Sequence, residues 1–102
     1  MRITLDPKLV GETVTITFDF TSRLAASETL SSPVVTAAVY SGTDATPSAV
    51  ISGSASVSGQ KVTQKVTAGT SGVVYLLTCT VSTSTSQVLL LEAFLAVVPN
   101  QY

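Results

Sequence analysis

Residues 72–102, GVVYLLTCTVSTSTSQVLLLEAFLAVVPNQY, admit three readings: a membrane helix, a helix laid over a core, or two strands of a sandwich. From Gly72 to Ser82 the alternation decides it. Tyr75, Leu77, Cys79 and Val81 fall on one side, and Leu76, Thr78, Thr80 and Ser82 on the other. That is a period of two, with no helical stripe. The polar run Ser82–Ser86 then interrupts the apolar sequence, leaving Val88–Val98 at about eleven residues, well short of the roughly twenty that span a bilayer as a helix. A membrane helix is excluded. Leu, Glu and Ala within 89–96 favour helix by propensity. The segment nevertheless follows a strand across a short polar turn, and a hairpin partner would complete the sheet. It is read as a strand, because local propensity yields where a sheet offers pairing.

Working outward, Thr13–Phe20 alternates strictly, with Val14, Ile16, Phe18 and Phe20 on one face and the threonines and Asp19 on the other. It is the clearest strand. Before it, Ile3–Val10 reads as a short, Pro-interrupted edge segment. After it, 21–32 is a polar connection in which Leu24-Ala25-Ala26 has the composition of one helical turn. Pro33 disfavours helix at Ser32, so Val34–Tyr40 reads as extended. Residues 41–48 form a loop by composition, and Ala49–Ile51 a short strand ending at Gly53. Ala55 and Val57 alternate with serines, Ser58-Gly59 offers a hairpin turn, and Lys61–Thr67 returns. On that return Val62 and Val66 share a face with Gln64, for which the sequence offers no account. Short strands separated by turn signals every eight to twelve residues or so specify a sandwich or barrel.

Composition agrees. The 102 residues suffice for one domain. Only 11% are charged, and Ser and Thr, about thirty per cent of the chain, take the place of the usual charged surface. A net charge of −1, with five scattered basic residues, argues against nucleic acid, because phosphate binding needs clustered Lys or Arg. Lys61 and Lys65 are the one local basic pair and belong to a solvated strand face. The N-terminal stretch carries Arg2, Asp6 and Lys8 without an apolar run, which is not the pattern of a signal peptide. A single cysteine, Cys79, forms no intrachain disulfide and fits a reducing compartment.

The chemistry of catalysis is missing from the residues. With no histidine, neither a Ser-His-Asp nor a Cys-His nucleophile can be assembled, nor a His-ligated zinc site. Cys79 sits mid-strand on the inward face, where a small buried hydrophobe is expected. The six carboxylates, Asp6, Glu12, Asp19, Glu28, Asp44 and Glu92, are scattered over edges and loops. No calcium loop and no phosphate-binding glycine motif occurs. The expectation is a non-enzyme with no cofactor and no metal.

Tyr75 begins a late strand after a glycine-containing turn, the placement of the tyrosine corner of immunoglobulin-type sandwiches. An ordinary core tyrosine at the sheet rim fits the same placement. In the last strand Leu89, Leu91, Ala93, Leu95 and Val97 share one face and suit the domain's own core. The other face carries Leu90, Phe94, Ala96 and Val98, interrupted by Glu92, and points outward. Leu90, Phe94 and Val98 are therefore the candidate interface, since large exposed apolar patches mark contacts with partners.

Two segments resemble short immunoglobulin-like proteins found among tailed-bacteriophage structural genes. One is DFTSRLAASETLSS, residues 19–32; the other is AGTSGVVYLLTCTVSTS, residues 68–84. With residues 13–18 they cover roughly a third of the chain, in the order expected of sandwich strands. Ser27 departs from the pattern where a glycine is common, and so does Ser86 before Gln87. The resemblance implies one immunoglobulin-like antiparallel β-sandwich of about seven strands over residues 1–102. It also implies a virion structural protein, assembled in the bacterial cytoplasm, as a head decoration or a part of the head–tail junction or tail. Its partners would be itself or other virion proteins, with neither nucleic acid nor membrane involved. The alternatives are an adhesin or pilus-type module, which would normally carry a secretion signal, and a carbohydrate-binding sandwich. The latter would show exposed aromatics, for which only Tyr40 and Tyr102 are available.

Overall fold

A computed structural model describes residues 2–4, 8–24 and 27–99. The strands are β1 (Arg2–Thr4), β2 (Lys8–Leu9), β3 (Val14–Asp19), β4 (Leu30–Ser41), β5 (Ile51–Ser58), β6 (Lys61–Val66), β7 (Val74–Thr83) and β8 (Val88–Val98). Two short 3-10 turns, Thr21–Arg23 and Pro47–Val50, are the helical elements among the described residues. One sheet runs β1-β8-β7-β4, with β2 also on β8; the other runs β3-β6-β5. Because β1 and β2 pair with successive parts of β8, they act as one broken edge strand, and the sandwich has seven strands in effect. The expected all-β sandwich is the fold.

Alternation builds the core. The inward residues of β3, β6, β7 and β8 bring Phe18, Val62, Val66, Tyr75, Leu77, Cys79, Val81, Leu91, Leu95 and Val97 together with almost no exposure. Phe20, just past the end of β3, is fully buried with them. The opening stretch is the β7–β8 hairpin, in register from Val74↔Ala96 to Ser82↔Val88. At its turn Ser86 takes a φ of +64°, the left-handed conformation that glycine adopts without steric cost.

The structure corrects five local expectations. The first strand pairs in parallel with β8, so the sandwich is antiparallel except along that edge. β4 starts at Leu30 and runs through Pro33, because a register shift between Ser31 and Val34 accommodates the missing N–H on an edge strand. Helical geometry falls at Thr21–Arg23, ahead of the expected turn, of which Ala25 and Ala26 lie outside the described residues. Ala49 lies in the 3-10 turn that Pro47 initiates, not in a strand. Gly53 does not end β5: with a φ of +72° it opens a bulge, and pairing resumes at Ser56.

The bulge explains Gln64. Between the pairs Ser52↔Lys65 and Ser56↔Thr63, the residues Gly53, Ser54 and Ala55 face Gln64 alone. Carbonyls there lose their ladder partners. The buried Gln64 side chain supplies them: its Nε2 lies 2.9 Å from the Ser52 carbonyl, 3.3 Å from that of Gly53 and 2.8 Å from that of Lys65. A polar residue on the core face is thus satisfied by the irregularity beside it.

Candidate functional site

Two places stand out: the loops gathered around Tyr75, and the outer face of the β8-β7-β4 sheet. The Tyr75 side chain is fully buried, and its hydroxyl meets the loops that carry Asp44 and Thr70. There it accepts the Thr70 N–H at 2.7 Å, five residues upstream, and donates to Asp44 Oδ2 at 2.6 Å. The Asp44 carboxylate also takes the Thr46 N–H on Oδ1 at 2.9 Å. The Tyr75 hydroxyl, and after it the Thr46 amide, hold the Asp44 carboxyl below the ordinary carboxylate range. In turn burial, with the Asp44 carboxylate beside it, pushes the Tyr75 phenol up.

The turn before β7 also meets a buried lysine. Lys8, on the inner side of β2, donates from Nζ to the carbonyls of Leu9 at 2.9 Å and Ala68 at 2.7 Å. Desolvation lowers its pKa, opposed by the charge of Glu12, whose Oε1 accepts the Leu9 N–H. Gly69, between Ala68 and Thr70, has a φ of +92°, and a Cβ there would come within 2.8 Å of Val97 Cγ2. Only glycine lets this turn lie flat on β8. These contacts bind loop to sheet. Among the described residues no three His, Cys, Asp or Glu side chains gather as metal ligands would.

On the outer face the register sorts side chains into bands. Phe94 lies opposite Leu76, and Leu76 opposite Ala38. The Phe94 ring meets Tyr40 edge-on, with centroids 4.6 Å apart and planes at 63°. The next outward row is polar: Glu92, Thr78 and Thr36. Beyond it Leu90, Thr80 and Val34 form a second, mixed row, where Leu90 is 49% and Val34 55% exposed. The Arg23 guanidinium reaches the Leu90 carbonyl at 3.3 Å.

Leu90, Phe94 and Val98 thus share a face of β8 but not a cluster, since four residues of strand separate each by about 13 Å. Phe94 belongs with Tyr40, Leu76 and Ala38. Leu90 lies in the row of Val34. Val98 is half-buried at the far end, opposite Leu9 of β2. Tyr40, Leu76 and Val34 were not singled out from the sequence as part of this face. The signal for them is cross-strand: they become neighbours of β8 only once β4 and β7 are in register.

Residues 8–95 match the family model of the podophage GP4 fiber-tail adaptor protein gp77. The chain belongs to the Gp77 family. No curated protein and no solved structure gives a significant match. Membership makes it a structural, tail-associated protein of a tailed phage and a component of the virion. The outer face carries an apolar row, Phe94, Leu76 and Ala38, and a mixed row, Leu90, Thr80 and Val34, with Glu92 in the row between them.

Proposed function

We propose that this protein is an adaptor that joins fibre to tail in the phage particle, and that it does so through the outer face of β8-β7-β4. The family description favours the tail over a head-decoration role. The observation that carries the surface is the row Phe94, Leu76, Ala38 with Tyr40 packed on its end. In a two-layer sandwich no further layer covers it, and an apolar row of this kind gains from a partner. Leu90 and Val98 extend the contact along β8, with Glu92 and the threonines between them giving orientation rather than affinity.

The proposed module is one immunoglobulin-like domain over residues 1–102, assembled with the particle in the host cytoplasm. The strand order supports that reading, since the three strands β3-β6-β5 stand against the sheet β4-β7-β8 with its β1/β2 edge, the seven strands in two sheets of such sandwiches. Tyr75 would be its corner residue, a role supported by the bond from the Thr70 amide five residues upstream. The test is particle composition. Phage carrying Leu90→Ser with Phe94→Asp should assemble heads yet lack fibres or this protein, while the purified variant keeps a β spectrum. Normal particles with a full fibre complement would overturn the proposal.

A further inference from the structure

The bulge that satisfies the Gln64 amide nitrogen also opens the sheet β3-β6-β5. A groove of about 320 Å3 lies across its three strands, at the lower end of the size of small-molecule sites. Thr15, Ser54, Ser56 and Thr63 line it with hydroxyls, Lys65 with an ammonium, and Gln64 borders it. Register gathers them: Thr15 lies opposite Lys65, and Thr63 opposite Ser56. Among the described residues none of the four hydroxyls has a hydrogen-bond partner, and the Lys65 ammonium makes no ion pair. The carboxylate of β3, Asp19, stands instead opposite Lys61, about 13 Å along β6 from Lys65. Gln64 adds the deciding group. It is 2% exposed, and three carbonyls fix its Nε2, so Oε1 is held as an acceptor. Oε1 takes no hydrogen bond from the described residues, where every enclosed side-chain oxygen and nitrogen has a partner, so it opens onto the space beside it. The smaller space on its other side, toward Val34, Val35 and Ile51, is walled by apolar side chains and has no charged group.

We propose that this groove binds an acidic sugar, a uronic-acid unit, with its carboxylate on Lys65 and its hydroxyls on the serines, the threonines and Gln64 Oε1. The inference goes beyond the adaptor reading and uses the opposite sheet. The chemistry of the lining selects the ligand. Hydroxyls both donate and accept, so four of them in one groove match a polyol better than a peptide, whose amides are spaced along an extended backbone. Gln64 Oε1 asks for a donor, which a sugar O–H supplies. No aromatic side chain lines the groove, so a neutral pyranose has no ring to stack on. Recognition therefore rests on polar contacts and on the one unpaired ammonium, and the sugar must carry a negative charge to use it.

Titration of the purified protein with galacturonate, followed by amide NMR shifts, tests this. The shifts should saturate and centre on Ser52–Ser56 and Thr63–Lys65. Lys65→Gln should weaken binding about tenfold, the loss of one charge-assisted hydrogen bond, and galactose should bind wild type more weakly by a similar factor. Thr63→Val, which keeps the branch and removes the hydroxyl, should also weaken it. Lys61→Gln, on the same face but outside the groove, should bind as wild type does. Trigalacturonate identifies the source: tighter binding than the monomer assigns a glycan chain, equal binding the free acid. Leu90→Ser with Phe94→Asp should bind galacturonate normally, so the groove and the adaptor surface fail separately. The inference is overturned if galacturonate gives no saturable shifts, or if Lys65→Gln binds it unchanged. Acetate binding as tightly as galacturonate would reduce the groove to a carboxylate contact, and tetraglutamate binding more tightly than trigalacturonate would assign it to an acidic protein segment; either result overturns it.

Discussion

Tyr75 and Asp44, thirty-one residues apart, are joined by a 2.6 Å hydrogen bond from the phenol to the carboxylate. The bond ties the loop after β4 to the strand that begins the final hairpin, and through Thr70 to the turn before it. One hydroxyl serves three segments, as donor to one loop and acceptor from another.

Removing that hydroxyl leaves the ring's burial intact and isolates the polar contribution. Tyr75→Phe should lower unfolding free energy by about 1–3 kcal/mol, since a donor to a carboxylate and an acceptor for a backbone amide go together. Urea melts measure it. An unchanged midpoint would reduce Tyr75 to a packing residue.

Asp44 makes a prediction about acid. Its carboxyl is held below the ordinary range by the Tyr75 hydroxyl first, and then by the Thr46 amide. A carboxyl whose folded pKa lies below its unfolded one contributes stability above the unfolded value, and loses it as pH falls through the folded one. Stability should therefore decline on acidification below the ordinary carboxylate range. Asp44→Asn should flatten that decline, as melts between neutral and strongly acidic pH will reveal.

Gln64 should be costly to truncate. Gln64→Ala strips the carbonyls of Ser52, Gly53 and Lys65 of their donor, and leaving buried acceptors unmet costs about 1–3 kcal/mol. Chemical denaturation gives the number. Hydrogen exchange should place the loosening in β5 and β6, with β7 and β8 unaffected.

Burial without a neighbouring cation pushes the Cys79 thiol up to about 12. At neutral pH it is a protonated, enclosed thiol, and only the thiolate reacts. A disulfide reagent should label the native protein negligibly and label it fully in denaturant. Rapid labelling of the folded protein would contradict the buried placement.

The strands that alternate were legible from sequence because period two is written into side-chain chemistry. The two faces of β7, and the inner and outer faces of β8, lie where alternation puts them. What escaped depended on partners distant in sequence. Gln64 has no meaning until the β5 bulge leaves carbonyls beside it. Pro33 marks where helix is disfavoured, but that the strand already begins at Leu30 follows only from the bulged edge, which does not use the missing N–H. Tyr40 joins Phe94 only through the β4–β7–β8 register. Periodicity says which way a side chain points, and register says what it meets.

The parallel pairing of the first and last strands bears on mechanical load. Arg2, Ile3 and Thr4 lie against Glu92, Ala93 and Phe94, while Lys8 and Leu9 lie against Val97 and Val98, all running the same way. Tension drawing the start of β1 and the end of β8 apart acts along the strands. It therefore strains those hydrogen bonds together, in shear, instead of unzipping them one after another. The buried Lys8 ammonium ties β2 to the Ala68 carbonyl of the turn before β7 as well. If the protein joins fibre to tail as proposed, a pull applied between these two strand ends would meet the edge in its stiffest direction.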